Sequence, residues 1–312
     1  MPRLESECVA RSTSARRYEQ LSTERPNRAA RDLDRLSALQ IARLMNREDR
    51  RPADAVGRVL PAIARAVELT VLSLQRGGRL FFVGAGTSGR LGVLEAAECP
   101  PTFGTPPSLV QAIMAGGRRA VFRSREGAED DAGVARRTVR ARVRRGDVVV
   151  GVSASGLTPF VRAGLAEARS IGAHTVLVAC NPKGVRRIAD VVIAPSPGPE
   201  ILAGSTRLKG GTATKLVLNM LTTASMAQLG RVHGNRMIDL QPRSRKLRAR
   251  AVRLVQEVAG VSGTCAERAL RASGGRARLA IVVARLGLSP ARAAAALRRH
   301  NGSLRALLEA AQ

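Results

Sequence analysis

The chain has 312 residues, 45% of them hydrophobic, enough for one large α/β domain and a smaller companion. No run of about 18 apolar residues occurs, so no membrane span is expected, and Cys8, Cys99, Cys180 and Cys265 are too widely spaced for a zinc site or a disulfide framework. The net charge of +28 would suit nucleic acid, but all but four of the 52 basic residues are arginine, they are scattered, and aromatics are only 2%, so no specific nucleic-acid partner is expected. The start, Met1-Pro2-Arg3-Leu4-Glu5-Ser6-Glu7-Cys8, lacks the apolar stretch of a signal peptide, and a cytoplasmic location is expected.

Residues 1–30 are polar and aperiodic and are expected to form a flexible extension. Residues 32–45 carry Leu33, Leu36, Leu39, Ile41 and Leu44 near helical spacing, and a longer helix is expected over 53–75, ended by Gly77 and Gly78. Strands are expected at 80–84, 109–114, 148–152, 175–179 and 191–194. Helices should fill 89–98, 128–143, 159–170 and 212–229. Short apolar strands joined by helical crossovers predict a doubly wound, flavodoxin-like parallel sheet covered on both faces. From residue 246 the pattern changes to short helices at 255–261, 266–272, 276–286, 290–298 and 303–310. The expected domains are therefore 31–245, with a core near 70–233, and a helical module over 246–312.

Two small-residue turns follow apolar strands. Gly84-Ala85-Gly86-Thr87-Ser88-Gly89 follows the first strand; Ser153-Ala154-Ser155-Gly156-Leu157-Thr158 follows the third. A turn that leaves a strand and opens a helix exposes backbone N–H groups that favour an anion, and hydroxyls add donors. Two such turns at one sheet edge would converge on one phosphate, so Thr87, Ser88, Gly89, Ser153, Ser155, Gly156 and Thr158 are the candidate phosphate ligands. The first turn also matches G-x-G-x-x-G, which raises a dinucleotide reading. Against it, Ala115-Gly116-Gly117-Arg118-Arg119 stands where the acidic ribose partner would be, and a nicotinamide site gives no reason for the second turn.

Acidic residues are scarce, so Glu95, Glu98, Glu126, Glu129, Asp130 and Asp131 stand out. Carboxyls in neighbouring loops can work as an acid and base pair; the plainer reading of Glu126, Glu129 and Asp130 is support of a helix N-terminus. Glu98 directly precedes Cys99-Pro100-Pro101, where the helix is expected to stop. It lies ten residues after Ser88, about 15 Å along a continuous helix. The entry Thr206-Arg207-Leu208-Lys209-Gly210-Gly211 places Arg207 and Lys209 as candidate anion contacts, N-capping and solvation being the other reading. His174, His233 and His300 are isolated and form no metal spacing; neither metal nor cofactor is expected.

These residues resemble the N-acetylmuramic acid 6-phosphate etherases, which are built on the sugar isomerase (SIS) fold. The matching stretches are 84–91, 95–104, Glu126-Gly127-Ala128-Glu129-Asp130, 153–159, Cys180-Asn181-Pro182, 204–209 and 215–220, with Thr23-Glu24-Arg25 ahead of them. The resemblance implies a metal-free lyase acting on a small sugar phosphate in cell-wall amino-sugar recycling. It yields N-acetylglucosamine 6-phosphate and D-lactate. Glu98 would be the catalytic acid, Glu129 the base, and the two turns the phosphate site. It also implies a homodimer and a tail similar to ubiquitin-associated modules; for Glu98 to serve a sugar held at Ser88, either its helix ends early or it acts across that dimer. One departure is Leu157, where the resemblance implies arginine.

The chemistry suits those residues. An acid must protonate the departing lactate oxygen, and a base must remove the C2 proton that the open-chain aldehyde acidifies. Two other readings remain: a non-catalytic sugar-phosphate sensor similar to glucokinase regulatory protein, and an aldose–ketose isomerase on the same fold.

Overall fold

A computed structural model describes residues 21–183, 185, 187–239, 245–300 and 302–311. They fall into two compact units. One takes the described residues up to Ala96 together with Val110–Leu221; the other takes Ala97–Leu109 together with the described residues from Thr222 onward. The second unit thus begins before the expected boundary at 246 and includes a segment from the middle of the chain.

The first unit is built on five parallel strands, β1 (Leu80–Gly84), β2 (Val110–Met114), β3 (Val148–Val152), β4 (His174–Val178) and β5 (Val191–Ile193). Their order is β2-β1-β3-β4-β5. Every residue of β1 and β3 is buried, which is why both read as unbroken apolar runs rather than alternating ones. On one face Phe81, Val83, Val149 and Leu177 pack with Val139, Phe160 and Leu165.

Ahead of the sheet lie α1 (Ala38–Glu48), α2 (Arg51–Gly57) and α3 (Leu60–Gln75). The helix expected from 32 starts instead at a capping box, in which Ser37 accepts the Gln40 N–H and Gln40 answers on the Ser37 N–H. The single helix expected over 53–75 is two, because Pro61 has no N–H to continue α2 and sits in the first turn of α3 instead.

After β1 comes α4 (Gly86–Phe103), then α5 (Arg119–Phe122), α6 (Ala132–Arg142), α7 (Pro159–Ile171) and α8 (Lys209–Gln228). α4 does not stop at Pro100: both Pro100 and Pro101 lie inside it. Two prolines forfeit two backbone bonds, yet the turn persists with Cys99 and Phe103 both buried. The helix closes at Gly104, whose N–H meets the Pro100 carbonyl at 3.0 Å and whose φ of 63° is open to glycine without strain. α6 starts four residues later than expected, where Asp131 accepts the Val134 N–H at 2.8 Å. Residues 128–130 form a separate 3-10 turn.

The expected flexible extension is corrected at its end. Residues 1–20 lie outside the described residues, but Leu21, Thr23 and Ala30 are buried, and Ser22 is hydrogen-bonded to Asn181.

The second unit is helical as expected, with α9 (Arg245–Ala259), α10 (Gly263–Ala272), α11 (Ala277–Leu286), α12 (Pro290–Arg299) and α13 (Leu304–Glu309), preceded by a short hairpin, β6 (Val232–His233) and β7 (Arg236–Met237). Ile238, Val255, Ile281, Leu297 and Leu304 share its core. Asp239 ties it together by accepting from both Arg231 and Arg278. Among the described residues no single helix is long and apolar enough to cross a membrane.

Candidate active site

The two hydroxyl turns leave adjacent strands at the same level. β1 and β3 are parallel neighbours, and their last residues, Gly84 and Val152, are register partners. The helices that follow go to opposite faces. A Cβ on Gly92 of α4 would lie 2.7 Å from Phe82, whereas one on Gly164 of α7 would lie 3.2 Å from Val83. Consecutive strand residues point to opposite faces. The β1/β3 boundary is therefore the point where the sheet reverses its winding, and ligands bind in the crevice outside the strand ends there.

The first turn is as tight as a backbone allows. A Cβ on Gly84 would come within 2.7 Å of the Gly89 nitrogen, and one on Gly89 within 2.6 Å of the Gly84 oxygen. Only glycine at both positions lets α4 begin immediately, at Gly86, with its first-turn N–H groups aimed beyond the sheet edge. Thr87 and Ser88 are half-buried on that turn.

The second turn is organised by its own hydroxyls. The Ser153 Oγ accepts the Gly156 N–H at 3.0 Å, and the Ser155 Oγ accepts the Leu157 N–H at 3.1 Å. The Ser153 and Thr158 hydroxyls lie 2.7 Å apart. Gly156 has φ 73°, and a Cβ there would collide with Val185. The Ser153 and Ser155 hydroxyls also lie 3.3 Å apart, so the three hydroxyls of this turn form one hydrogen-bonded cluster.

Glu129 stands beside the first turn. It is exposed on the 3-10 turn ahead of α6. A cleft of about 100 Å³ is lined by Ala85, Gly86, Arg90, Met114, Glu126 and Glu129. Arg90 fixes one wall, donating to the Val121 and Ala120 carbonyls at 2.8 and 2.9 Å. Glu98 is exposed farther along α4. Because that helix is uninterrupted, Glu98 sits about 15 Å along the axis from Ser88.

The expectation for Lys209 is corrected. Its side chain is 1% exposed, and its Nζ is 2.6 Å from Glu48 Oε2. Glu48 also takes the Asn27 amide at 2.8 Å and Arg51 at 3.1 Å. Burial pushes the Glu48 carboxyl up, but the Lys209 and Asn27 hydrogen bonds and the charges of Lys209 and Arg51 outweigh it and hold it below its ordinary value. The helix expected from 212 begins at Lys209, and its first turn aims Lys209 inward. Glu200, fully buried, accepts the N–H groups of Lys209 and Gly210 at 2.9 and 2.8 Å. An internal carboxylate thus occupies that helix N-terminus. Burial raises the Glu200 carboxyl above its ordinary value against the pull of those amides and of Lys209. Arg207 is exposed.

A family model described as the glucokinase regulatory protein N-terminal SIS domain matches residues 62–169. An N-acetylmuramic acid 6-phosphate etherase of Symbiobacterium thermophilum is 51% identical over 269 residues, covering 86% of this chain and 90% of that one. Etherases of Mesorhizobium japonicum and Gloeobacter violaceus are 48% and 50% identical, each over more than nine-tenths of both chains. The chain belongs to the N-acetylmuramic acid 6-phosphate etherase family.

For a member of this family, the structure brings together the two hydroxyl turns at adjacent strand ends and sets Glu129 on a cleft bordered by the first of them. Glu48 and Glu200 were not singled out by sequence reasoning, and Asn181 stood only within a matching stretch, with no role assigned. Glu48 ends an amphipathic helix in an acid-poor chain, which was the available signal. Glu200 had none, since its partner amides are defined only once α8 forms. Among the described residues no group of three or more His, Cys, Asp or Glu could hold a metal ion.

Proposed function

We propose that the chain cleaves the D-lactyl ether of N-acetylmuramic acid 6-phosphate, giving N-acetylglucosamine 6-phosphate and D-lactate. The activity is that of the etherase relatives. The observation that carries it onto this chain's own residues is the register pairing of Gly84 with Val152, which sets both hydroxyl turns at one switch point. The phosphate sits against the first turn of α4 with Thr87, Ser88 and Gly89, and against Ser153, Ser155, Gly156 and Thr158. The helix N-terminus and the hydroxyl donors both favour a dianion.

Held by that phosphate, the open-chain sugar presents C2 to a base. Glu129 removes the C2 proton, which the neighbouring aldehyde acidifies. Glu98 protonates the lactyl oxygen as its bond to the adjacent carbon breaks, since an alkoxide is a poor leaving group. Lactate departs, a double bond forms, and water adds to it to give the product hydroxyl. The uninterrupted α4 supports a homodimer in which Glu98 serves the partner's site, because one sugar does not span about 15 Å within a subunit. Arg207, exposed ahead of α8, is a candidate contact for the sugar. Among the described residues, Cys99, Cys180 and Cys265 form no disulfide, which fits the cytoplasm.

The match to the glucokinase regulatory protein model supports a second reading, a sugar-phosphate sensor. Incubation of the purified chain with N-acetylmuramic acid 6-phosphate separates them. The etherase releases stoichiometric D-lactate. The sensor binds without turnover, and an isomerase would convert a sugar phosphate with no lactate formed.

A further inference from the structure

One side chain fastens the N-terminal segment to the second hydroxyl turn. Asn181, 2% exposed, follows β4. Its Oδ1 accepts the Ser22 N–H and the Ser22 hydroxyl, each at 2.8 Å. Its Nδ2 donates to the Thr23 Oγ1 at 3.2 Å and to the Ala154 carbonyl at 3.0 Å. Those four bonds use the full capacity of a primary amide. Ala154 is the residue between Ser153 and Ser155, and its carbonyl also takes the Cys180 N–H at 2.9 Å.

The same segment reaches a second loop. Thr23 is fully buried, and its carbonyl accepts the Gly204 N–H at 3.1 Å. Gly204 begins the stretch that enters α8, and a Cβ on Gly211 of that helix would lie 3.8 Å from the Thr87 methyl of the first turn. Ser22 and Thr23 therefore link, through a few hydrogen bonds, the loops that rim the strand ends.

We propose that Asn181 is a positioning residue for substrate binding: with Ser22 and Thr23 it forms a clasp that holds the Ser153–Ser155 turn in its phosphate-binding conformation before the sugar arrives. The proposal rests on the reading that this turn binds a sugar phosphate. The turn leaves the sheet at Ser153, whose N–H meets the Val178 carbonyl at 3.0 Å, and its hydroxyls bond to one another and to its own amides. Beyond that anchor, its place over the crevice is held at the Ala154 carbonyl, by the Cys180 N–H and by the Asn181 amide together. Preorganising a loop shifts its ordering cost from binding to folding, so the clasp should act on affinity more than on the chemical step.

The test compares the full-length parent with Asn181→Ala and with the milder Ser22→Ala/Thr23→Val. Calorimetry with N-acetylglucosamine 6-phosphate reads binding, lactate release reads KM and kcat, and thermal melting reads stability. Asn181→Ala should weaken binding about tenfold, the double variant several-fold, with kcat at saturation changed by no more than about twofold. Combining all three substitutions should weaken binding no further than Asn181→Ala alone, because one device is being removed. Unchanged affinity in both variants, with only a lower melting temperature, would overturn the clasp. So would fully additive losses in the combined variant. A parent that binds the phosphosugar but makes no lactate defeats the etherase reading while calorimetry still tests the clasp; a parent that binds no phosphosugar overturns both.

Discussion

Gly84 and Val152 face each other across neighbouring parallel strands, each the last residue of its own strand. The turns that follow them therefore start at one level and diverge to opposite faces of the sheet. That divergence opens a crevice with donors on two sides, and in the proposed reading the hydroxyls of Ser88 and Ser155 take complementary places around one phosphate.

Ser88→Ala and Ser155→Ala should each weaken binding of the 6-phosphate sugar by about 1.5–3 kcal/mol, the worth of a hydrogen bond to a charged group. Calorimetry on the parent with phosphorylated and unphosphorylated N-acetylglucosamine provides the control. Equal affinity for the two sugars would remove the phosphate from the account.

The buried Lys209–Glu48 pair makes a prediction about stability. Lys209→Met leaves the Glu48 carboxylate buried without its ammonium partner and should cost about 3–5 kcal/mol in denaturant unfolding. Adding Glu48→Gln should recover most of that loss. The two nearby carboxylates respond to pH with opposite sign. Glu48 is held below its ordinary value, so its contribution is present above the unfolded carboxylate value of about 4.3 and is lost as pH falls through its lower folded value. Glu200 is held above its ordinary value, so its contribution is full below that unfolded value and is lost as pH rises through its raised folded one. Glu48→Gln should flatten the acid limb of the stability profile, and Glu200→Gln should flatten the decline on the other side. Unfolding curves that keep the parent's pH dependence in both variants would contradict these assignments.

The uninterrupted α4 places Glu98 far from Ser88 along one helix. If Glu98 serves the partner's site, a Glu98→Gln chain mixed with a Ser88→Ala/Ser155→Ala chain should regain lactate release, because heterodimers then carry one intact site. No recovery after subunit exchange has been verified by mass spectrometry would place Glu98 in its own subunit's site.

The fold was legible where hydrophobic pattern and covalent geometry act locally. β1 and β3 are buried on both faces, so their apolar runs were unambiguous, and the Gly84–Gly89 spacing announced a turn that only glycine can make. Errors came where distant contacts override local preference. Pro100 and Pro101 read as a helix stop, yet the helix continues to Phe103, which is buried in the second unit. Lys209 read as a ligand contact because its acidic partner, Glu48, is 161 positions away. The N-terminal segment read as loose because its polar residues gave no periodicity, although Thr23 is fully buried through side chains more than 150 positions distant. Register between β1 and β3, which sets the site, was not readable from either strand alone.

The central claim is that Glu129 and Glu98 divide two proton transfers between them, and NMR of the reaction in heavy water tests it most directly. The parent should release lactate and exchange the C2 proton for deuterium. Glu129→Gln should lose both, by about 10²–10⁴ in rate, whereas Glu98→Gln should lose lactate release and retain C2 exchange, because deprotonation precedes departure of the leaving group. Full lactate release by both variants would contradict the account.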